Sequence, residues 1–175
     1  MSEIKVCDLC IIGAGPAGMT AAIYAGRADK SVIIIDKNGF GGQIAKSPKV
    51  ENIPGFDSIS GLDFATKMYE QMTGLETIES LFGEAKLIRY NHGLFIISLA
   101  DETVIQSKSL IFATGCEPRT LNLPTKNLYY CVTCDGPFFK KKPVIVVGSG
   151  NTGATYALEL ATYCKHVYIC DITMK

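Results

Sequence analysis

One strand–loop–helix–strand unit occurs twice in this chain, and that repeat restricts the available folds more than any other feature. The first copy is VCDLCIIGAGPAGMTAAIYAGRADKSVIIID (6–36) and the second is PVIVVGSGNTGATYALELATYCKHVYICD (143–171). Gly13, Gly15, Gly18 and Asp36 recur as Gly148, Gly150, Gly153 and Asp171, each 135 residues further on. A lone GxGxxG is a weak signal. Two in register, each after an apolar strand, before a helix and with an acid ending the next strand, specify parallel βαβ units.

The chemistry of such a loop follows from its residues. The first glycine permits a tight turn, the second lets the backbone approach a pyrophosphate, and the third lets the helix pack closely on the strand. The helix N-terminus then faces the phosphate charge. Asp36 and Asp171 stand where a carboxylate can accept bonds from ribose hydroxyls. A glycine-rich turn in an unrelated α/β protein is the plainer reading of the first copy. For the second, the plainer reading is a unit that keeps the fold and binds no nucleotide.

Between the copies, GGQIAKSPKVENIPGF (41–56) is irregular and too long for a mere connection, which marks a functional loop. GLDFATKMYEQMTG (61–74) is an amphipathic helix with Phe64, Met68 and Met72 on one face. Residues 75–112 read as short strands with turns at Asn91-His92-Gly93 and around Asp101, a β-meander. IFATG (111–115) closes this part, and a linker-like stretch, CEPRTLNLPTKN, leads to CVTCDGPFF (131–139). With a net charge of zero, the chain has no electrostatic footprint for nucleic acid or an anionic membrane. No apolar run approaches a membrane span, and MSEIKVCDLC lacks the form of a signal peptide.

Seven cysteines at irregular spacing do not form a secreted disulfide framework, and they point to a reducing compartment, the cytoplasm. Two CxxC pairs are present. Cys7 and Cys10 lie in an expected strand, where residues three apart face opposite ways, so they read as small buried hydrophobes out of mutual reach. Cys131 and Cys134 lie in an expected turn or first helical turn. There an i,i+3 pair meets the separation a disulfide needs, and a helix N-terminus would favour the thiolate. A metal is not expected: His92, His166, Cys116, Cys164 and Cys170 supply no second CxxC or HxxxH pair.

The order GAGPAG, GGQ, ENIPGF, ATG, CVTCDG and GSGNTG resembles the low-molecular-weight thioredoxin reductases, flavoproteins of the pyridine-nucleotide–disulfide oxidoreductase type. The resemblance runs through all 175 residues and covers about the first half of a family member, so a fragment with an incomplete flavin site is expected. It implies a Rossmann-like, three-layer FAD-binding α/β fold with a β-meander over residues 1–115. Residues 116–175 would then hold a linker, the CxxC motif and the start of a second Rossmann-like unit. By the same resemblance Gly13, Gly15, Pro16, Ala17, Gly18, Asp36 and Lys37 hold the ADP half of FAD. Gly41, Gly42, Gln43 and Asn52 approach the flavin and its linker, and Ala113, Thr114 and Gly115 line the same cofactor. Cys134 exchanges electrons with the flavin, Cys131 attacks the partner disulfide of thioredoxin, and Asp135 acts as acid and base. A homodimer is implied as well.

Departures from the family pattern cluster on the second unit, whose candidate nucleotide residues are Gly148, Gly150, Asn151, Thr152, Gly153 and Asp171. Relatives that use NADPH follow the second strand with His-Arg-Arg, whereas this chain reads CDITMK. A carboxylate there repels a 2′-phosphate and suits an unmodified ribose. The glutamate-containing helix start is replaced by ATYALE (154–159), and the linker NLPTKNLYY is short for the family. NADPH is therefore disfavoured, which leaves NADH or ferredoxin as donor, the latter as in the ferredoxin-dependent flavin variant. The alternative of another class is a non-catalytic or regulatory FAD-binding protein with a redox-sensing CxxC.

Overall fold

The computed structural model describes residues 4–117, 119–125 and 127–171, apart from the Cys134 side chain. The chain divides into two compact units, Met1–Cys116 and Glu117–Lys175.

The first unit is built on six strands: β1 (Ile4–Ile12), β2 (Val32–Asp36), β3 (Ile78–Phe82), β4 (Ala85–Asn91), β5 (Leu94–Leu99) and β6 (Val104–Phe112). Their order is β3-β2-β1-β6-β5-β4, parallel through the first four and antiparallel beyond. Val32 to Ile35 of β2 are all buried, as a continuous β-branched run flanked by parallel strands should be. Helices α1 (Pro16–Arg27) and α2 (Gly61–Thr73) cover one face, where Met19, Ala22, Ile23 and Met72 pack on Ile11, Val32 and Ile34. On the other face Ile33 and Ile35 meet Ile97, Leu99 and Ile105 from the antiparallel strands. This is the Rossmann-like α/β arrangement expected. Met68 and Met72 point into the first cluster, and Phe64 lies edge-on to Phe56. Ser60 caps α2 by accepting from the Asp63 N–H at 3.0 Å, a contact worth about 1 kcal/mol.

The meander is shorter than residues 75–112. It comprises β4, β5 and β6, turning at His92-Gly93 and at Glu102, all with positive φ. β3 instead pairs parallel with β2, because α2 provides the crossover that a parallel neighbour requires.

Cys7 and Cys10 correct a second expectation. They are free and buried, yet both belong to the same core cluster rather than to opposite faces. The in-and-out alternation of β1 inverts once, at Asp8. There the N–H groups of Asp8 and Leu9 converge on the Ser31 carbonyl at 3.0 and 3.1 Å. β6 inverts with it: Ile105 lies in that cluster, Leu110 packs against the same cluster, and Asp8 and Lys108 drop out of an otherwise unbroken register.

The second unit holds helix α3 (Val132–Asp135), a 3-10 turn (Gly136–Phe139), β7 (Pro143–Val147), α4 (Asn151–Ala161) and β8 (His166–Cys170). β7 and β8 pair in parallel, and Val146 packs with Ala157 and Leu160 of α4. No helix among the described residues is long and apolar enough to cross a membrane.

Candidate functional site

The loop after β1 is pinned from several sides. Gly13 has φ +108°, and its N–H donates to the Ile35 carbonyl at 2.7 Å. A Cβ at Gly13 would lie 2.2 Å from the Ala113 carbonyl oxygen, so only glycine lets the turn press against the end of β6. A Cβ at Gly18 would lie 1.8 Å from the Gly13 carbonyl oxygen, which shows how tightly α1 seats on the strand. Gly15 is the N-cap of α1, with Pro16 in the first helical turn, no side-chain cap and no acid there. The helix therefore presents uncompensated positive charge at that end.

Asp36 organises the loop. Its Oδ2 accepts from the Ala14 N–H and its Oδ1 from the Asn38 N–H, both at 2.8 Å. The Gly41 N–H donates to the Ala14 carbonyl at 2.8 Å, and the Gly42 backbone comes up against Gly15. Ala113 joins this group, its N–H donating to the Ile12 carbonyl at 2.8 Å. The GAGPAG, GGQ and ATG segments thus converge at the carboxyl ends of β1 and β6, where open α/β sheets bind ligands. Lys37, Gln43, Asn52, Thr114 and Gly115 are solvent-exposed.

Beside Asp36 lies a cavity of about 160 Å³ lined by Ala14, Gly39, Phe40, Tyr69, Ser80, Leu81 and Phe82. Phe40 stacks on Tyr69 with ring centroids 4.2 Å apart. Sequence reasoning missed the β3 residues, since only the β2–β3 pairing, Asp36 opposite Phe82, brings them to the loop, and it missed Tyr69, which α2 brings against Phe40. A second cleft, lined by Phe56, Ser58, Ile59, Asp63, Thr66, Lys67 and Glu70, contains none of the expected site residues.

The second unit repeats the main hydrogen bonds of the first. Gly148 has φ +107°, and its N–H donates to the Cys170 carbonyl at 2.7 Å. A Cβ at Gly153 would lie 1.9 Å from the Gly148 carbonyl oxygen. Gly150 is the uncapped N-cap of α4, which opens with Asn151, Thr152 and Gly153. Asp171 Oδ2 accepts from the Ser149 N–H at 3.1 Å, as Asp36 does from Ala14. The difference is that the Ser149 hydroxyl also donates to that oxygen.

The two CxxC pairs are chemically opposite. Burial pushes the Cys10 thiol up to about 12 and raises Cys7 too, despite the Cys7 Sγ bond to Ser107 Oγ at 3.4 Å. Both are held as inert thiols. Cys131 is disulfide-bonded and half-buried, and its carbonyl accepts from the Asp135 N–H at 2.9 Å. The Cys134 side chain lies outside the described residues, although its backbone belongs to α3. α3 is a single four-residue turn, too short for an appreciable helix dipole. The turn is fastened to the end of α4: Cys164 Sγ donates to the Phe139 carbonyl at 3.3 Å and the Lys141 N–H to the Tyr163 carbonyl at 2.9 Å. Cys116 and Cys170 are exposed and free. His92 sits in the β4–β5 turn and His166 opens β8, both exposed. Among the described residues no three His, Cys, Asp or Glu side chains gather as a metal would require.

The family model for pyridine nucleotide-disulphide oxidoreductases matches residues 7–174. The chain is 43% identical over 171 residues to the thioredoxin reductase of Ureaplasma parvum serovar 3, covering 94% of this chain and 55% of that protein. It resembles the crystal structure of thioredoxin reductase from Streptococcus pyogenes MGAS5005 with a TM-score of 0.78 and 37% identity, covering 94% of this chain and 55% of that one. A ferredoxin-flavin thioredoxin reductase from Clostridium acetobutylicum is similar at a TM-score of 0.60 and 25% identity, covering 99% of this chain and 62% of that one. The chain spans about half the length of the curated relatives it matches.

Proposed function

Since the chain belongs to the pyridine nucleotide-disulphide oxidoreductases, among the low-molecular-weight thioredoxin reductases, we propose that it is a flavin-dependent disulfide reductase whose Cys131–Cys134 pair passes electrons to thioredoxin. The observation that carries this reading is the disulfide at Cys131, beside five other described cysteines that are all free.

The first unit fits FAD. Its glycines let the loop close tightly on the end of β6 and on α1, Asp36 borders a cavity beside Ala14, and α1 opens uncapped toward the loop. Gly13, Gly15, Pro16, Ala17 and Gly18 would receive the pyrophosphate, with Asp36 and Lys37 at the adenosine end. Gly41, Gly42, Gln43, Asn52, Ala113, Thr114 and Gly115 would line the rest. When bound, FAD supplies a two-electron carrier between an electron donor and the disulfide.

The chain's own residues do the remainder. The Cys131 thiolate attacks the thioredoxin disulfide, Cys134 resolves the mixed disulfide, and Asp135 moves the proton of the departing thiol. The donor reading rests on the exposed Asp171, whose charge opposes a 2′-phosphate and which already holds Ser149. Gly148, Gly150, Asn151, Thr152 and Gly153 would take NADH, or the second unit would be bypassed in favour of ferredoxin. We place the enzyme in the cytoplasm as a homodimer, where its free thiols suit a reducing milieu.

A visible spectrum of the purified protein tests the donor, recorded before and after NADH, NADPH and reduced ferredoxin. Rapid bleaching by stoichiometric NADPH would sink that part. Cys131→Ser tests the relay: thioredoxin reduction by chemically reduced enzyme should vanish, and its survival would end the mechanism.

A further inference from the structure

The two glycine loops share their main backbone bonds but differ at the residue between the first two glycines. Ala14 stands there in the first unit and Ser149 in the second, 135 residues further on. Each oxygen of a carboxylate can accept two hydrogen bonds. Asp36 uses one on each: Oδ2 takes the Ala14 N–H and Oδ1 the Asn38 N–H, both at 2.8 Å. Among the described residues, that leaves one acceptor position on each oxygen. Asp171 is filled differently. Its Oδ2 takes both the Ser149 N–H, at 3.1 Å, and the Ser149 hydroxyl. A single residue of the loop thus occupies both acceptor positions of that oxygen.

The 2′- and 3′-hydroxyls of an adenosine ribose are neighbours on one ring. An acid in this position meets the pair when each of its oxygens has room for a donor. Asp36 has that room, and Asp171 lacks it at Oδ2. A ribose hydroxyl could reach Oδ2 only by displacing the serine hydroxyl. That exchange replaces one charge-assisted O–H bond with another and leaves the serine without its acceptor, so the ligand gains little. Resting on the function proposed above, we infer that Ser149 is a specificity-determining residue of the second unit, an internal stand-in for a ribose hydroxyl that turns an unmodified ribose away. The Asp171 charge opposes the 2′-phosphate of NADPH, and Ser149 removes the preference for NADH that the acid would otherwise confer. Together they favour a donor that bypasses the second unit.

The test is calorimetric titration of ADP into the intact, flavin-loaded protein, in which the first unit is already occupied. Wild type is compared with Ser149→Ala, which copies Ala14 of the first unit, and with Ser149→Gly, which also lacks the hydroxyl. Both variants should bind ADP about tenfold more tightly than wild type. They should also gain a preference for ADP over 2′-deoxy-ADP, and adding Asp171→Ala should abolish both gains. A merely structural serine would change ADP and 2′-deoxy-ADP binding alike, and that result would overturn the inference. Unchanged ADP affinity in the variants would overturn it too. So would weaker binding, which would make the hydroxyl a ligand of the nucleotide instead of its competitor. A protein that takes up no flavin would overturn the functional reading alone. The difference between wild type and variants would still decide the role of Ser149, because the first unit is the same in all of them.

Discussion

The Cys10 thiol offers a quantitative check on why the first CxxC is inert. Its side chain is fully buried, and desolvation followed by the Cys7 charge raises it from 9.0 to about 12. A folded-state value above the unfolded one means that folded protein retains the proton longer. The associated stability is complete below pH 9.0 and is lost progressively as pH rises toward about 12. That rise corresponds to at most about 4 kcal/mol, with a slope of about 1.4 kcal/mol per pH unit inside that window. Tyrosine and lysine titration adds its own slope at these pH values, so Cys10→Ala serves as the reference. Its cavity cost is independent of pH, and the remaining groups other than the coupled Cys7 cancel. Urea unfolding of both proteins should therefore show a gap that shrinks by about 2 kcal/mol between about pH 9 and 10.5. Parallel profiles would refute the reasoning, because they would mean that the folded core ionises Cys10 as readily as water does.

Gly18→Ala should cost at least about 1–3 kcal/mol and release flavin, because the new methyl starts 1.8 Å from the Gly13 carbonyl oxygen; flavin absorbance after gel filtration and a urea midpoint check this. Asp36→Ala strands the Ala14 and Asn38 N–H groups and should lower stability by about 1–3 kcal/mol. Calorimetry with ADP on flavin-stripped protein should show that affinity falls as well.

The glycine loops were readable because each glycine answers a local need: a positive φ at Gly13 and Gly148, and helix–strand contact at Gly18 and Gly153. The acids ending β2 and following β8 were readable for the same reason, since sequence spacing alone brings them back to the loop. What escaped reading depends on contacts between distant segments. Phe82 reaches Asp36 only through the β2–β3 pairing, and Tyr163 reaches Gly136 only through the packing of α4 against the cysteine turn. Periodicity in β1 failed for a related reason. Strict alternation assumes a strand free to follow its pleat, and this one is overruled by a charge.

That inversion shows which residue governs the register of β1. A regular pleat running back from Cys10 would carry Asp8 onto the buried face, with Val6 and Ile4 beside it. Keeping Asp8 out leaves Ile4 and Val6 61% and 69% exposed, and forgoes about 1.5–3 kcal/mol for each. An unpaired carboxylate in that core would be far less tolerable. Outside it, Asp8 instead gathers the Lys108 ammonium at 2.7 Å and the Ser31 hydroxyl and N–H at 2.9 and 3.0 Å. The exposure of Ile4 and Val6 thus follows from where Asp8 sits. They are displaced members of the interior, left outside by one aspartate four residues into the strand.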